Sequence, residues 1–251
     1  MKFELCGLPV DQIDTDGTVA RILARCAEEG GAPLVVSSCN VDMVVKASRD
    51  PAFAEALASA DILTADGMPI VWLGRARGGS FPERVAGSEL VPRVSRACAR
   101  EGYSVYLFGG RPGVPEAAAA RLLADSPDLR IAGTLSPKMG FDADPALLEQ
   151  TVAEVRRAAP DVLFVAMGAP RQERFIAAHR EALGAKAILG IGGSLDMLAG
   201  RVRRAPGWVQ RSGFEWLWRL AQEPRRLFRR YLVDDLAFLP IAWRELRAPR
   251  R

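Results

Sequence analysis

The sharpest chemical candidate in this 251-residue chain is Asp66. It ends the apolar run Ile62-Leu63-Thr64-Ala65 and stands directly before Gly67. A carboxylate on such a junction, held by rigid backbone and partly withdrawn from water, suits a general base. Asp is also a preferred helix cap, so position alone leaves both roles open. Four further junctions carry glycine or small polar residues: Ser38-Cys39-Asn40, Gly109-Gly110-Arg111-Pro112-Gly113, Gly168-Ala169-Pro170-Arg171-Gln172 and Gly190-Ile191-Gly192-Gly193-Ser194. Uncovered backbone N–H groups at such turns bind phosphate oxygens. Each glycine taken singly serves equally well as a turn former. Arg84 is a candidate contact to a ligand, although the adjacent Glu83 allows a plain ion pair. Asp196 is a candidate either to cap a helix or to orient a phosphate-binding loop.

Several chemistries lose ground at once. Gly109 to Gly113 has the wrong spacing for a dinucleotide fingerprint, and the following run, Leu129 to Thr134, ends without an acidic residue. No Walker lysine motif is present. His179 is the single histidine, which argues against Ser-His-Asp hydrolysis and histidine-rich metal sites and marks it as a surface or packing residue. Cys6, Cys26, Cys39 and Cys98 form no CxxC pair and suit reduced thiols.

The elements that must position these residues follow from periodicity. Strands are expected at Leu34–Ser37, Ile62–Ala65, Ser104–Phe108, Leu129–Thr134, Val162–Ala166 and Ala187–Ile191. Helices are expected at Val41–Ser48, Pro51–Ala58, Ser88–Arg100, Val114–Ala124, Pro145–Ala158 and Pro170–Leu183. Asp50-Pro51 and Asp144-Pro145 read as N-cap then first helical residue, and Ser88 as a cap. Apolar strands alternating with helices imply an α/β fold, a mostly parallel Rossmann-like sheet flanked by helices. Ligands bind such sheets beyond the carboxyl ends of the strands, where all five junctions lie.

Composition changes near residue 200. Residues 200–251 hold 13 Arg, no Lys and 5 acidic residues, a net +8 against −4 for the first 199. Trp208, Trp216, Trp218 and Trp243 fall there too. An α/β catalytic core over 1–199 and a helical, basic and aromatic appendage over 200–251 are expected. At about 100° per residue, Arg225, Arg226, Arg229 and Arg230 fall on one side of the segment after Pro224, with Leu227, Phe228, Tyr231 and Leu232 on the other. That pattern fits an interfacial helix on anionic lipid, with the tryptophans at headgroup level. It fits a helix packed on its own core equally well. Met1 to Val10 has no signal-peptide character, and the longest apolar approach, Leu236 to Trp243, is far short of the roughly 18 residues a span needs. The expected location is cytoplasmic, peripheral on the inner face of the membrane.

Taken in order, the blocks Ser38-Cys39-Asn40-Val41-Asp42, Ala60 to Met68, Pro82-Glu83-Arg84-Val85-Ala86-Gly87, Gly109 to Gly113, Met167 to Glu173, Gly190 to Asp196, Arg203-Arg204-Ala205-Pro206 and Glu223 to Leu232 resemble the WecG/TagA/CpsF glycosyltransferases, family 26. The resemblance spans almost the whole chain. It implies an inverting transferase that takes a UDP-sugar, uses no metal ion or cofactor, and delivers to a sugar on a polyprenyl diphosphate in surface polysaccharide synthesis. The family's proposed base matches Asp66. Its first-motif Thr and Asn match Ser38 and Asn40, the serine keeping the hydroxyl and dropping the methyl. The Gln of its Pro-x-Gln-Glu block matches Gln172. With Arg84, Gly109, Gly110, Gly168, Gly192, Gly193 and Asp196 these form the expected substrate-binding set. Arg219, Arg225, Arg226, Arg229 and Arg230 are the expected phosphate and membrane contacts. The competing readings are an NAD-dependent nucleotide-sugar-modifying enzyme and a non-enzymatic membrane-binding module. Nucleic acid is not expected as a partner, and the donor sugar and oligomeric state are open.

Overall fold

A computed structural model describes residues 1–201, 205–206, 209 and 215–249. Arg203, Arg204 and Trp208 lie outside them, and so does the side chain of Arg226. The fold is α/β, built on an eight-stranded sheet. Its strands are β1 (Lys2–Leu5), β2 (Leu8–Asp11), β3 (Leu34–Cys39), β4 (Ile62–Ala65), β5 (Ser104–Gly109), β6 (Arg130–Leu135), β7 (Val162–Ala166) and β8 (Ala187–Gly190), in the order β1-β2-β4-β3-β8-β7-β5-β6. Every pairing is parallel except the β1–β2 hairpin. Helices α1 (Thr15–Ala27), α2 (Val41–Ala47), α3 (Pro51–Ala58), α4 (Met68–Ala76), α5 (Gly87–Glu101), α6 (Val114–Asp125), α7 (Pro145–Ala158), α8 (Arg171–His179) and α9 (Ser194–Leu198) connect them.

The central strands are apolar at nearly every position because both faces are covered. Val36, Ile62, Leu107, Phe164 and Leu189 pack into one cluster with residues of α1, α5, α6 and α9. Their neighbours Leu63, Phe108, Leu163 and Ile188 face the opposite side. The six expected strands and six expected helices are all present, within a few residues at each end. Asp50 and Asp144 cap their helices through the Phe53 N–H at 3.0 Å and the Ala146 N–H at 2.9 Å. Ser88 does not cap α5: the helix begins at Gly87 after Ala86, with no side-chain cap. The backbone there is held by Gly87, where a Cβ would meet Ser194 Oγ at 3.1 Å and the Ile191 backbone at 3.2 Å.

The hairpin and α1 extend the expected pattern. Cys6 and Gly7, at φ 53° and 78°, form the tight two-residue turn that joins β1 to β2. Asp14 caps α1 by accepting the Gly17 N–H at 2.7 Å. After residue 200 come α10 (Glu215–Gln222), α11 (Pro224–Arg229), a π turn (Arg230–Asp234), a 3-10 turn (Asp235–Ala237) and α12 (Phe238–Arg247). The expected two-sided wheel does not hold across this segment. Leu227 is buried, Phe228 is exposed, and Arg230 turns inward to carboxylates instead of joining a basic face. The wheel assumes α periodicity, and the wider i→i+5 winding of the π turn breaks it at Arg230.

α12 is fastened to the core. Phe238, Ala237, Ile241 and Ala242 join the cluster around Met43, Val44 and Leu73. Arg77 lies 3.3 Å from Glu245 and donates to the carbonyls of Ala248 and Pro249 at 2.6 and 2.9 Å. Glu245 also accepts the Cys6 N–H at 3.0 Å. No helix among the described residues is long and apolar enough to cross a membrane.

Candidate active site

Strand order decides which junctions meet. β4, β3, β8 and β7 are neighbours at the centre of the sheet, and β3 beside β8 is where the chain order reverses. A crevice opens at such a point. A cavity of about 600 Å³ lies there, lined by residues following each of these four strands and by the appendage.

From β3, Ser38 and Asn40 reach the cavity while Cys39 between them is fully buried, as strand alternation requires. Asn40 caps α2 with its side-chain oxygen, accepting the Met43 N–H at 3.1 Å, which leaves the amide NH2 as the end able to address a ligand. Burial drives the Cys39 thiol well above its ordinary range and raises Cys6 and Cys98 to about 12. None of these thiols is a nucleophile at neutral pH.

From β4 comes Asp66. Its N–H still donates to the Cys39 carbonyl at 2.8 Å, so its backbone belongs to the rigid sheet while its half-buried side chain lines the cavity. It does not cap α4; Gly67, at φ 104°, holds that position. The left-handed glycine turns the chain sharply from strand to helix. Arg84 is brought alongside by the neighbouring residue: the Val85 N–H donates to the Ala65 carbonyl at 2.8 Å, and Thr64 Oγ1 donates to the Val85 carbonyl at 3.1 Å. Asp66 and Arg84 thus line one cavity. The Glu83 carboxylate is occupied elsewhere, accepting the Thr15 N–H at 2.9 Å.

β7 and β8 contribute Gly168, Gly192 and Gly193 to the lining, with Gln172 behind them. Gln172 is only 1% exposed. Its Oε1 accepts from Gly192 N–H at 2.9 Å and Met167 N–H at 3.3 Å, and its Nε2 donates to Glu173 Oε1 at 2.8 Å. It ties the two glycine loops together. Glu173 is 2% exposed, and burial pushes its carboxyl above the ordinary glutamate range.

The appendage closes the far wall with Trp216, Arg219, Arg230, Tyr231, Leu232, Asp235, Leu236, Phe238 and Leu239. Arg219 NH2 stands 3.7 Å from where a Cβ on Gly193 would lie, and its buried Nε has no hydrogen-bond partner among the described residues. Arg230 lies 3.4 Å from Asp42 Oδ2, the oxygen that also receives Lys46 Nζ at 2.7 Å. Asp235, 3.9 Å from Arg230, is raised to about 6 by burial, which Arg230 only partly offsets. Asp42, Lys46 and Asp235 were not anticipated. Asp42 follows the Ser-Cys-Asn junction, and its spacing to Lys46 is the i,i+4 ion-pair signal.

Other expected residues fall elsewhere. Gly109 and Gly110 end β5, outside β7, and do not line the cavity. They are glycines for packing: a Cβ on Gly109 would sit 2.3 Å from the Ala166 carbonyl oxygen, and the Gly110 N–H donates to that oxygen at 2.8 Å. Asp196 lies in the first turn of α9, away from the cavity wall, and Gly193 rather than Asp196 precedes the helix. Arg225 and Arg229 are exposed on the outer surface. His179 packs its ring on Phe175 at 5.1 Å. Among the described residues, no group of three His, Cys, Asp or Glu side chains is arranged to hold a metal ion.

Comparison with known proteins agrees with this architecture. Residues 3–251 match the model of the glycosyl transferase WecG/TagA/CpsF family. A Bacillus subtilis (strain 168) protein named N-acetylglucosaminyldiphosphoundecaprenol N-acetyl-beta-D-mannosaminyltransferase is 30% identical over 203 residues, 81% of this chain and 77% of its own length. A protein of the same name from Bacillus spizizenii (strain ATCC 23059 / NRRL B-14472 / W23) is 29% identical over 226 residues, 89% of this chain and 84% of its own. With the match running from residue 3 to residue 251, the chain belongs to the WecG/TagA/CpsF family of glycosyltransferases.

Proposed function

We propose that this enzyme moves a hexose or N-acetylhexosamine from a UDP-sugar to a sugar carried on a polyprenyl diphosphate, with inversion and without a metal ion. One observation carries the reading: a single cavity joins a carboxylate on a rigid strand end to three arginines and a glycine loop. The acceptor class rests on the names of the two relatives, whose acceptor is a diphosphoundecaprenol-linked sugar.

In the proposed step the acceptor hydroxyl oxygen bonds to the anomeric carbon. The bond from that carbon to the β-phosphate oxygen breaks, and its electron pair leaves with UDP. The hydroxyl proton passes to Asp66. Charge growing on the departing diphosphate is met by Arg219 and Arg230 and by the backbone of the Gly193 turn, while the Gly192 N–H stays with Gln172. Ser38, Asn40 and Arg84 orient the sugars, and Gln172 acts by holding the glycine loops. The exposed Arg225 and Arg229, with Arg244 and Arg247 of α12, hold the enzyme on an anionic membrane surface.

The test is UDP release over a panel of UDP-sugars with polyprenyl-diphosphate-sugar acceptors, for wild type and Asp66→Asn, with and without EDTA. Asp66→Asn keeps the side chain's size but accepts no proton. It binds UDP as wild type does and turns over roughly 10²–10⁴-fold more slowly. EDTA leaves the wild-type rate unchanged. Near-normal turnover of the variant removes Asp66 from the role of base, and loss of activity in EDTA removes the metal-free mechanism.

A further inference from the structure

From the π turn onward the exposed large apolar side chains include Leu232, Leu236, Leu239, Trp243 and Leu246, with Val233 exposed beside Leu232. Leu239, Trp243 and Leu246, at i, i+4 and i+7, fall along one side of α12, and Leu232 and Leu236 precede them in the π and 3-10 turns. All five are exposed, from 39% at Leu232 to 64% at Leu239. The opposite side is fixed to the core through Phe238, Ile241, Ala242 and the Glu245–Arg77 pair, so the stripe cannot roll inward. A contiguous exposed apolar row of this kind marks an interaction surface.

The inner part of the stripe lies within the active site. Leu232, Leu236 and Leu239 are walls of the cavity, while Trp243 and Leu246 are not. At about 1.5 Å per residue the part of the row on α12, from Leu239 to Leu246, runs roughly 10 Å outward from the cavity. Arg219 and Arg230 stand at its inner end. The row runs from Arg219 and Arg230 out over leucines to Trp243, whose ring carries the Arg247 guanidinium at 4.2 Å, an arrangement complementary to an amphiphile with an anionic head and an apolar tail. A face that only entered the bilayer would lie clear of the site. The cavity-wall leucines are the part of the row that a molecule held in the site touches.

We propose that this stripe is the seat of the acceptor's prenyl chain. The isoprene units next to the diphosphate lie along Leu232, Leu236 and Leu239 and leave past Trp243 and Leu246 toward the membrane. The inference rests on the reading that the acceptor is a prenyl diphosphate, and it adds the place and the residues that recognise the hydrocarbon.

The experiment is direct binding to the full chain in detergent-free buffer, below the micelle threshold, by calorimetry. The probes are inorganic diphosphate, dimethylallyl diphosphate and farnesyl diphosphate. Farnesyl diphosphate binds at least about tenfold more tightly than the dimethylallyl compound, since each buried methylene contributes about 0.8 kcal/mol. In the double variant Leu236→Ser, Leu239→Ser the preference falls to about twofold or less, with inorganic diphosphate bound as before. Both positions are more than half exposed, so the variant keeps its fold. Equal affinity for the two prenyl compounds overturns the proposal. So does a double variant that loses binding to phosphatidylglycerol vesicles, or loses self-association in sedimentation, yet keeps the chain-length preference. The stripe would then serve the bilayer or a second copy instead. The binding measurement needs no turnover. Transfer without a chain-length preference sinks this inference alone, whereas failure to transfer sinks the catalytic reading alone.

Discussion

At the scale of the residue, the site depends on side chains committed in opposite directions. Gln172 has both ends of its amide engaged, so its orientation is set by Gly192 and Met167 on one side and Glu173 on the other. Glu173 is the costly member, a buried carboxyl whose Oε2 has no hydrogen-bond partner among the described residues. A carboxyl raised on folding binds more protons in the native state than in the unfolded chain. Its contribution to stability therefore falls as pH rises above the ordinary value near 4.5, and levels off only above the raised value. Glu173→Gln removes that dependence and keeps an oxygen for the Gln172 donor. The melting temperature of the variant relative to wild type should climb as pH rises above the ordinary value near 4.5, and a difference that is flat with pH would refute the assignment. Asp66 was legible in the sequence because an acidic residue between an apolar run and a glycine is a local pattern. The Asp42–Lys46 pair carried only its local i,i+4 spacing, and the approach of Arg230 to Asp42 was not legible, because Arg230 arrives from the appendage through the fold.

At the scale of the element, apolar runs and caps announced most of the sheet and its helices, and Pro51–Ala58, Pro145–Ala158, Ile62–Ala65 and Val162–Ala166 match to the residue. Strand order was not announced. Five glycine or small polar junctions looked equivalent in the sequence, and four of them meet, because β5 lies outside β7. Hence Gly109 and Gly168 make different predictions from similar local sequence. Alanine at Gly109 would drive a Cβ into the Ala166 carbonyl, disrupting the β5–β7 edge, and should destabilise by more than about 2 kcal/mol in urea melts. Alanine at Gly168 meets nothing within 4 Å and bears only the left-handed backbone penalty, about 1–2 kcal/mol, while raising KM for the donor. Equal losses would mean that packing at Ala166 is not what Gly109 provides. The segment from Pro224 to Ala237 was misread for a related reason: a wheel presumes one winding, and here α, π and 3-10 turns follow one another.

At the scale of the whole molecule, the basic and aromatic composition of residues 200–251 sets that region apart in the sequence, yet gives no sign of how firmly its end is held. Arg77, its side chain 9% exposed, grips Glu245 and two terminal carbonyls, and α12 completes a core cluster. Truncation after Gly200 should abolish transfer and also strip that cluster, so it confounds two effects. Arg77→Ala is the cleaner variant. It should cost about 1–3 kcal/mol by leaving Glu245 without its cation. Hydrogen exchange should quicken in α12 before it does in β3 or β8. Unchanged exchange in α12 would show that the apolar contacts alone hold it.

Asp42 accepts two cations on one oxygen, Lys46 from its own helix and Arg230 from the appendage. If the appendage swings away, the carboxylate is never stranded, because the lysine remains at 2.7 Å. Parting therefore exchanges an arginine for water and leaves no bare buried anion, the situation that makes breaking an interior ion pair so costly.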